Sequence, residues 1–183
     1  MKNLYSLLLG LAGGAWLLAS CSSKGDTVTK GTLVTRNDFE SVLGWGGNAD
    51  ASITTEQAHS GTHAVKVGPQ GEYAYTYIQN MGKMSNAKIK DLTVSAWVWL
   101  PNQQASSSLV VAINHSAERG TPVFYKTIVL PTSVKKFKEW QLVTETFALP
   151  DSVQATNQLK CYLWGMGTKE NVYADDITIS VGN

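Results

Sequence analysis

Three histidines, two cysteines, six tryptophans and seven tyrosines are the groups this chain offers for chemistry. His59 and His63 flank Ser60 and Gly61, and His115 stands alone. A serine beside a histidine is not a catalytic triad: nucleophile and base converge from separate segments, and no elbow motif surrounds Ser60. No zinc motif occurs. Glycosidase carboxylates do converge from distant positions, but the chain has no long amphipathic helix with which to wall a deep cleft. Binding without catalysis is the expectation, and His59 and His63 read as turn or surface residues.

The aromatic residues point to a surface. Val94, Ala96, Val98 and Leu100 alternate, which puts Trp97 and Trp99 on the opposite side of an extended segment. Leu159, Cys161 and Leu163 alternate likewise and turn Tyr162 and Trp164 outward. A two-sheet domain has one interior, so these rings line an exposed face, and exposed aromatic patches mark binding sites. Tyr73, Tyr75 and Tyr77 also share a parity. Tyr75 joins the ligand candidates, although the trio is core instead if Ala74 and Thr76 face out. Trp140 reads as a packing residue, and Trp45 as a loop residue of either kind. Cys161, between leucines, is a small apolar core residue.

The elements that must position these groups are short strands. Period-two alternation runs through Tyr73–Ile78, Val94–Leu100, Leu109–Asn114, Val123–Leu130, Gln141–Leu149, Leu159–Trp164 and Ala174–Val181. Turn-rich stretches such as His59-Ser60-Gly61-Thr62 and Pro150-Asp151 separate them. Many short strands with regular turns specify an all-β sandwich or barrel.

The N-terminus is of another kind. Met1, Lys2 and Asn3 precede an apolar run, Leu4 to Ala19, broken by Gly10, Gly13 and Gly14. That run is short for a spanning helix, which needs about 20 apolar residues, and it reads as an export signal. It ends in Leu18-Ala19-Ser20-Cys21, which resembles the lipobox of bacterial lipoproteins. The resemblance implies removal of residues 1–20, lipidation of Cys21 with acyl chains such as palmitate, and stable attachment without spanning. Ser22 gives no strong inner-membrane retention signal, so the outer membrane is the expected address. Residues 21–33 form the lipidated cysteine and a small, polar tether, and 34–183 form one domain. With Lys2 gone from the 15 basic residues, 14 face 14 acidic ones. That balance argues against nucleic acid, which asks for a clustered basic surface, and Lys135, Lys136 and Lys138 read as a solvated loop.

Five fragments carry a second resemblance. They are Asn37-Asp38-Phe39-Glu40 followed by Trp45; Ala58 to Val67; Leu92 to Val98; Glu139 to Val143; and Tyr173 to Ile179. In this order the chain resembles the jelly-roll carbohydrate-binding modules found beside bacterial xylanases and glucanases, in the galactose-binding-like superfamily. The resemblance implies a two-sheet jelly-roll β-sandwich over residues 34–181. It further implies a structural calcium, which asks for converging hard oxygens. Position by position, these come from Glu40, a carbonyl of Asp38, the turn at His59 and Thr62, and Asp175. Asp175 shares a parity with Ile177 and Ile179 and should point inward, leaving Asp176 the weaker candidate. Accepting backbone hydrogen bonds without metal is the alternative role of Glu40 and Asp175. In similar modules a tryptophan matching Trp97 stacks on the glycan, whereas Trp99 departs from the usual polar residue there. Flat rings suit the apolar faces of pyranoses, with Gln79 or Asn114 available to hydroxyls. The expected function is a non-catalytic, membrane-anchored lipoprotein that holds a polysaccharide, with a neighbouring glycoside hydrolase as a further expected partner. The alternative is a structural or protein-interaction lipoprotein on the same fold.

Overall fold

Alternation in sequence becomes two antiparallel sheets. The structure, a computed structural model, describes residues 30–41, 45, 51–115 and 120–183; the leader and Cys21 lie outside the described residues. In the larger sheet β2 (Ile53–Thr54), β3 (Ala64–Val67), β10 (Val172–Gly182), β5 (Asp91–Trp99) and β8 (Trp140–Ala148) are neighbours in that order, and β1 (Thr32–Asn37) also pairs with β10. The smaller sheet runs β4 (Tyr77–Asn80), β9 (Gln158–Trp164), β6 (Ser108–Asn114) and β7 (Phe124–Val129). Two single-turn helices, α1 (Met81–Met84) and α2 (Leu130–Ser133), follow β4 and β7. This is the expected all-β jelly-roll sandwich.

The core lies between the inner faces. Val94, Ala96 and Val98 of β5 meet Ile177 and Ile179 of β10, Leu109, Val111 and Ile113 of β6, and Leu159, Cys161 and Leu163 of β9, all fully buried. Each such leucine or isoleucine stabilises the fold by roughly 1.5–3 kcal/mol through burial alone. Burial also pushes the Cys161 thiol up to about 12, so it stays a protonated packing group. Trp45 is buried too, its ring against Phe39 and Tyr77 and its Nε1 donating to Thr35 Oγ1 at 2.9 Å.

Two expectations need correction here. Tyr75 is not on a ligand-binding face. It is buried with Tyr77 in the core while Tyr73 is 55% exposed, because β4 begins only at Tyr77 and the preceding residues do not hold strand alternation. Asp175 does not point inward. Its partner on β5 is Trp97, whereas Thr178 is the partner of Ser95, so β10 carries one extra residue between the two pairs. That residue is absorbed at Asp176, which has φ 48°. A bulge of this kind reverses the parity on either side of it, and Asp175 faces outward with Trp97.

One side of the sandwich is open. The edge strands β7 and β8 flank a cleft lined by Phe124, Ile128 and Phe147. Lys126 on β7 and Glu145 on β8 occupy inward positions, opposite Val111 and Val94, and both line this cleft.

Candidate functional site

The outer face of the smaller sheet carries the aromatic surface. With Leu159, Cys161 and Leu163 turned into the core, β9 presents Gln158, Lys160, Tyr162 and Trp164 outward. The register then aligns Ser108, Val110, Ala112 and Asn114 of β6 beside them, and Tyr125, Thr127 and Val129 of β7 beyond. The middle strand has short side chains at its centre. Ser108, Val110 and Ala112 are buried although they face outward, between half-buried Tyr162 and Trp164 on one flank and exposed Tyr125 and Val129 on the other. The result is a trough with an apolar floor and aromatic walls.

Three rings meet at one end of it. Tyr73 bridges to Trp164 at the sheet margin; their rings are 4° from parallel with centroids 6.3 Å apart. Tyr162 meets Tyr73 edge-on at 5.9 Å. Trp164 is held in place, since its Nε1 donates to Glu72 Oε1 at 3.0 Å while the Gly165 N–H donates to the Glu72 carbonyl at 2.7 Å. Met166, 39% exposed, closes this end, and Ser108 Oγ donates to its Sδ at 3.0 Å. The Tyr162 phenol lies above its ordinary pKa, first through burial and then through the phenols of Tyr125 and Tyr73, so at neutral pH it is an uncharged donor and acceptor. Of the two polar neighbours expected for hydroxyls, Asn114 lies on this face. Gln79 pairs with inward Leu159 and does not.

Trp97 and Trp99 belong to a different surface. They are half-buried on the outer face of the larger sheet, so they cannot share a site with Tyr162 and Trp164. One face of Trp97 is covered: the His59 imidazole stacks on it at 3.9 Å and 11°, with Trp140 edge-on to the imidazole at 5.8 Å. Trp99 meets Tyr173 edge-on at 5.6 Å.

The turn bearing His59 is clamped by carboxylates. Asp175 Oδ2 accepts the N–H groups of His59 at 2.8 Å and Ser60 at 3.0 Å, and its Oδ1 accepts that of Asp176 at 2.7 Å. Burial nonetheless pushes Asp175 up to about 6 against those bonds. Asp176 receives Arg36 at 2.8 Å and His59 Nδ1 at 2.7 Å. Burial raises it, but these bonds outweigh burial and hold it below its usual range. From the other side, Glu40 Oε1 accepts the N–H groups of Thr62 and His63, each at 2.6 Å. Gly61 makes this approach practicable: it has φ +58°, and a Cβ there would lie 2.5 Å from Glu40 Oε1.

Of the five expected metal-holding residues, His59 and Asp175 come together with Asp176, offering ligand atoms within 4.8 Å of one another. Glu40 and Thr62 bond to each other, and Asp38 Oδ1 accepts the Glu40 N–H at 3.2 Å. These three side chains could hold a metal ion. By themselves they do not complete a calcium site: that ion takes six to eight oxygens, whereas one of the three is an imidazole and Arg36 pairs with Asp176.

Tyr73, Glu72, Tyr125 and Met166 belong to this surface and are not among the residues that the sequence pattern singles out for binding. The parity of Tyr125 was available from buried Phe124 and Ile128. No local signal announces the Glu72–Trp164 bond, whose partners are 92 residues apart.

The two-sheet fold is similar to that of solved carbohydrate-binding modules. Among solved structures, the CBM22-1 xylan-binding domain from Paenibacillus barcinonensis Xyn10C superposes with TM-score 0.52 at 16% identity, over 85% of this chain and 97% of that one. The CBM22-2 xylan-binding domain of the same enzyme gives 0.53 at 13% identity, over 81% and 99%. The C-terminal family 22 carbohydrate binding module of Clostridium thermocellum Xyn10B gives 0.51 at 15% identity, over 81% and 92%. At such identities the likeness is one of fold. No family model matches the chain, and no curated protein matches it.

Proposed function

We propose that this domain binds a polysaccharide in the trough on the smaller sheet, without catalysing its cleavage. The observation that carries the reading is the cluster of exposed Tyr73 with half-buried Tyr162 and Trp164 beside the small-residue floor of β6. Ring faces pack on the CH faces of pyranoses, and Asn114, Asn80, Gln158 and Thr127 stand on the same outer parity to meet hydroxyls. The fold likeness supports the reading, since the similar solved domains are described as xylan-binding.

Trp164→Ala should weaken binding to a soluble β-glycan by about tenfold or more, the scale of about 1.4 kcal/mol, because a few rings usually carry most of the affinity. Trp97→Ala should not change it. Affinity electrophoresis over a glycan panel reads both. Unchanged binding in Trp164→Ala would move the site elsewhere, and a folded wild type that binds no glycan would favour the structural or protein-interaction role.

The domain's setting is proposed as well. Lipidation at Cys21 would hold it at the cell envelope, on the outer membrane, and residues 22–31 would let it stand up to about 35 Å from the lipid. Chemistry would come from a neighbouring hydrolase. In one solved xylanase of Clostridium thermocellum, a CBM22-1 module is joined to a GH10 module. The calcium implied by the sequence resemblance has no role in this reading, in which the carboxylates of Asp175 and Glu40 clamp the His59–His63 turn.

A further inference from the structure

Resting on the trough as the glycan site, we infer that its ligand is an anionic glycan, with Lys160 the residue that recognises the charge. The four strands of the smaller sheet read YIQN, QLKCYLW, SLVVAIN and FYKTIV, with no aspartate or glutamate among them. They hold two lysines. Lys126 lies at an inward position and lines the open side of the sandwich. Lys160 therefore supplies the only charge that these strands present on the outer face.

Lys160 sits inside the aromatic surface, not at its margin. It lies two residues from Tyr162 on the same side of β9, about 7 Å along the strand. Its cross-strand neighbours are Ile78 and Ala112; beyond Ala112 comes Tyr125. It is half-buried, and no carboxylate pairs with it among the described residues. Three other described lysines pair with carboxylates, Lys66 with Glu56, Lys88 with Asp151 and Lys136 with Glu139, and the remaining ones, like Lys160, do not. Glu72, at the far end of the trough, holds the Trp164 indole.

Lys160 is half-buried among neutral and apolar groups, and its ammonium has no carboxylate partner among the described residues. A neutral sugar chain packed over it would take the ammonium out of water without pairing it. A chain bearing carboxylates, as in hexuronates, or sulfate esters would supply the missing charge while its rings stack on Tyr162 and Trp164. Such a contact also adds selectivity, because neutral chains leave the lysine unpaired.

The experiment measures affinity of the full-length protein, purified in detergent, for polygalacturonate, dextran sulfate, neutral xylan and neutral β-glucan. Polygalacturonate or dextran sulfate should bind at least about tenfold more tightly than the neutral chains, and the advantage should shrink between about 20 and 500 mM NaCl through screening. Which of the two binds better identifies carboxylate or sulfate as the charge. Lys160→Met should abolish the preference, Lys160→Arg should keep most of it, and an unchanged thermal midpoint would show that both are folded. Equal binding of neutral and anionic chains by the wild type, or a preference that survives in Lys160→Met, overturns the inference and leaves the glycan site standing. Failure to bind any of the four overturns the site itself.

Discussion

Asp175 and Glu40 hold the same five-residue turn from two directions, and what each carboxylate accepts decides how the molecule responds to ions and acid. Asp175 receives N–H groups, so chelator and millimolar calcium should give the same melting midpoint. An ion bound only by the folded state would instead raise the midpoint with its concentration, and a calcium-dependent rise would show that it displaces these donors. Glu40 is held down to about 2, first by the Thr62 N–H and then by His63, from an ordinary value of 4.5. A carboxylate whose folded pKa is depressed stabilises above its unfolded pKa and loses that contribution as pH falls through the folded one. The difference in midpoint between wild type and Glu40→Gln should therefore be constant above about pH 5 and shrink toward pH 2. A difference that does not change with pH would assign the glutamate a packing role. Sequence pattern brought both carboxylates and the turn to notice. It misplaced Asp175 because nothing in Ala-Asp-Asp-Ile marks a bulge, and it left Trp97 uncovered because the His59 that stacks on it is remote in sequence.

At the scale of strands, parity was legible wherever an apolar set was complete. Leu159, Cys161 and Leu163 sufficed to turn Tyr162 and Trp164 outward, and the same logic held for Trp97 and Trp99 against Val94, Ala96 and Val98. Periodicity is silent on which strands share a sheet, and so five candidate rings were gathered into one site that the fold divides between two outer faces and the core. It was silent too on Tyr73 and Tyr75, whose opposite fates follow from a chain that leaves strand geometry between Tyr73 and Tyr77. The edges carry a further consequence. Lys126 and Glu145 place charges at inward positions on β7 and β8, a device that discourages edge-to-edge pairing. Replacing both, Lys126→Ile with Glu145→Val, should therefore promote association, read as a concentration-dependent rise in sedimentation coefficient. A double variant that stays monomeric at high concentration would show that the edges are blocked by something else.

For the whole molecule, the order of weak fragments along the chain pointed to the jelly roll, because each fragment marks a strand or turn that the fold needs in that sequence. The proposed export leader rests on local features of the sequence alone: its length, its basic start and the small residues before Cys21. Cys21→Ser should leave the chain unlipidated, with its leader retained and its location changed. Labelled palmitate incorporated equally by wild type and variant would refute the lipobox reading. With the proposed leader removed, the net charge would be near zero, which would place any electrostatic preference in local groups such as Lys160 and not in the field of the whole protein.

The N-terminal strand determines how such a domain would be displayed. β1 joins the larger sheet beside β10, and Lys30 enters it through a bond from Ser180 Oγ to its carbonyl at 2.7 Å. A tether preceding Lys30, as proposed, would therefore leave from the sheet that does not carry the trough. A chain fastened at Cys21 can turn its ringed face away from the lipid, so a polymer can lie across it without its path being obstructed by the surface to which the protein is attached. The captured strand would then remain open on its far side to whatever second macromolecule acts on it.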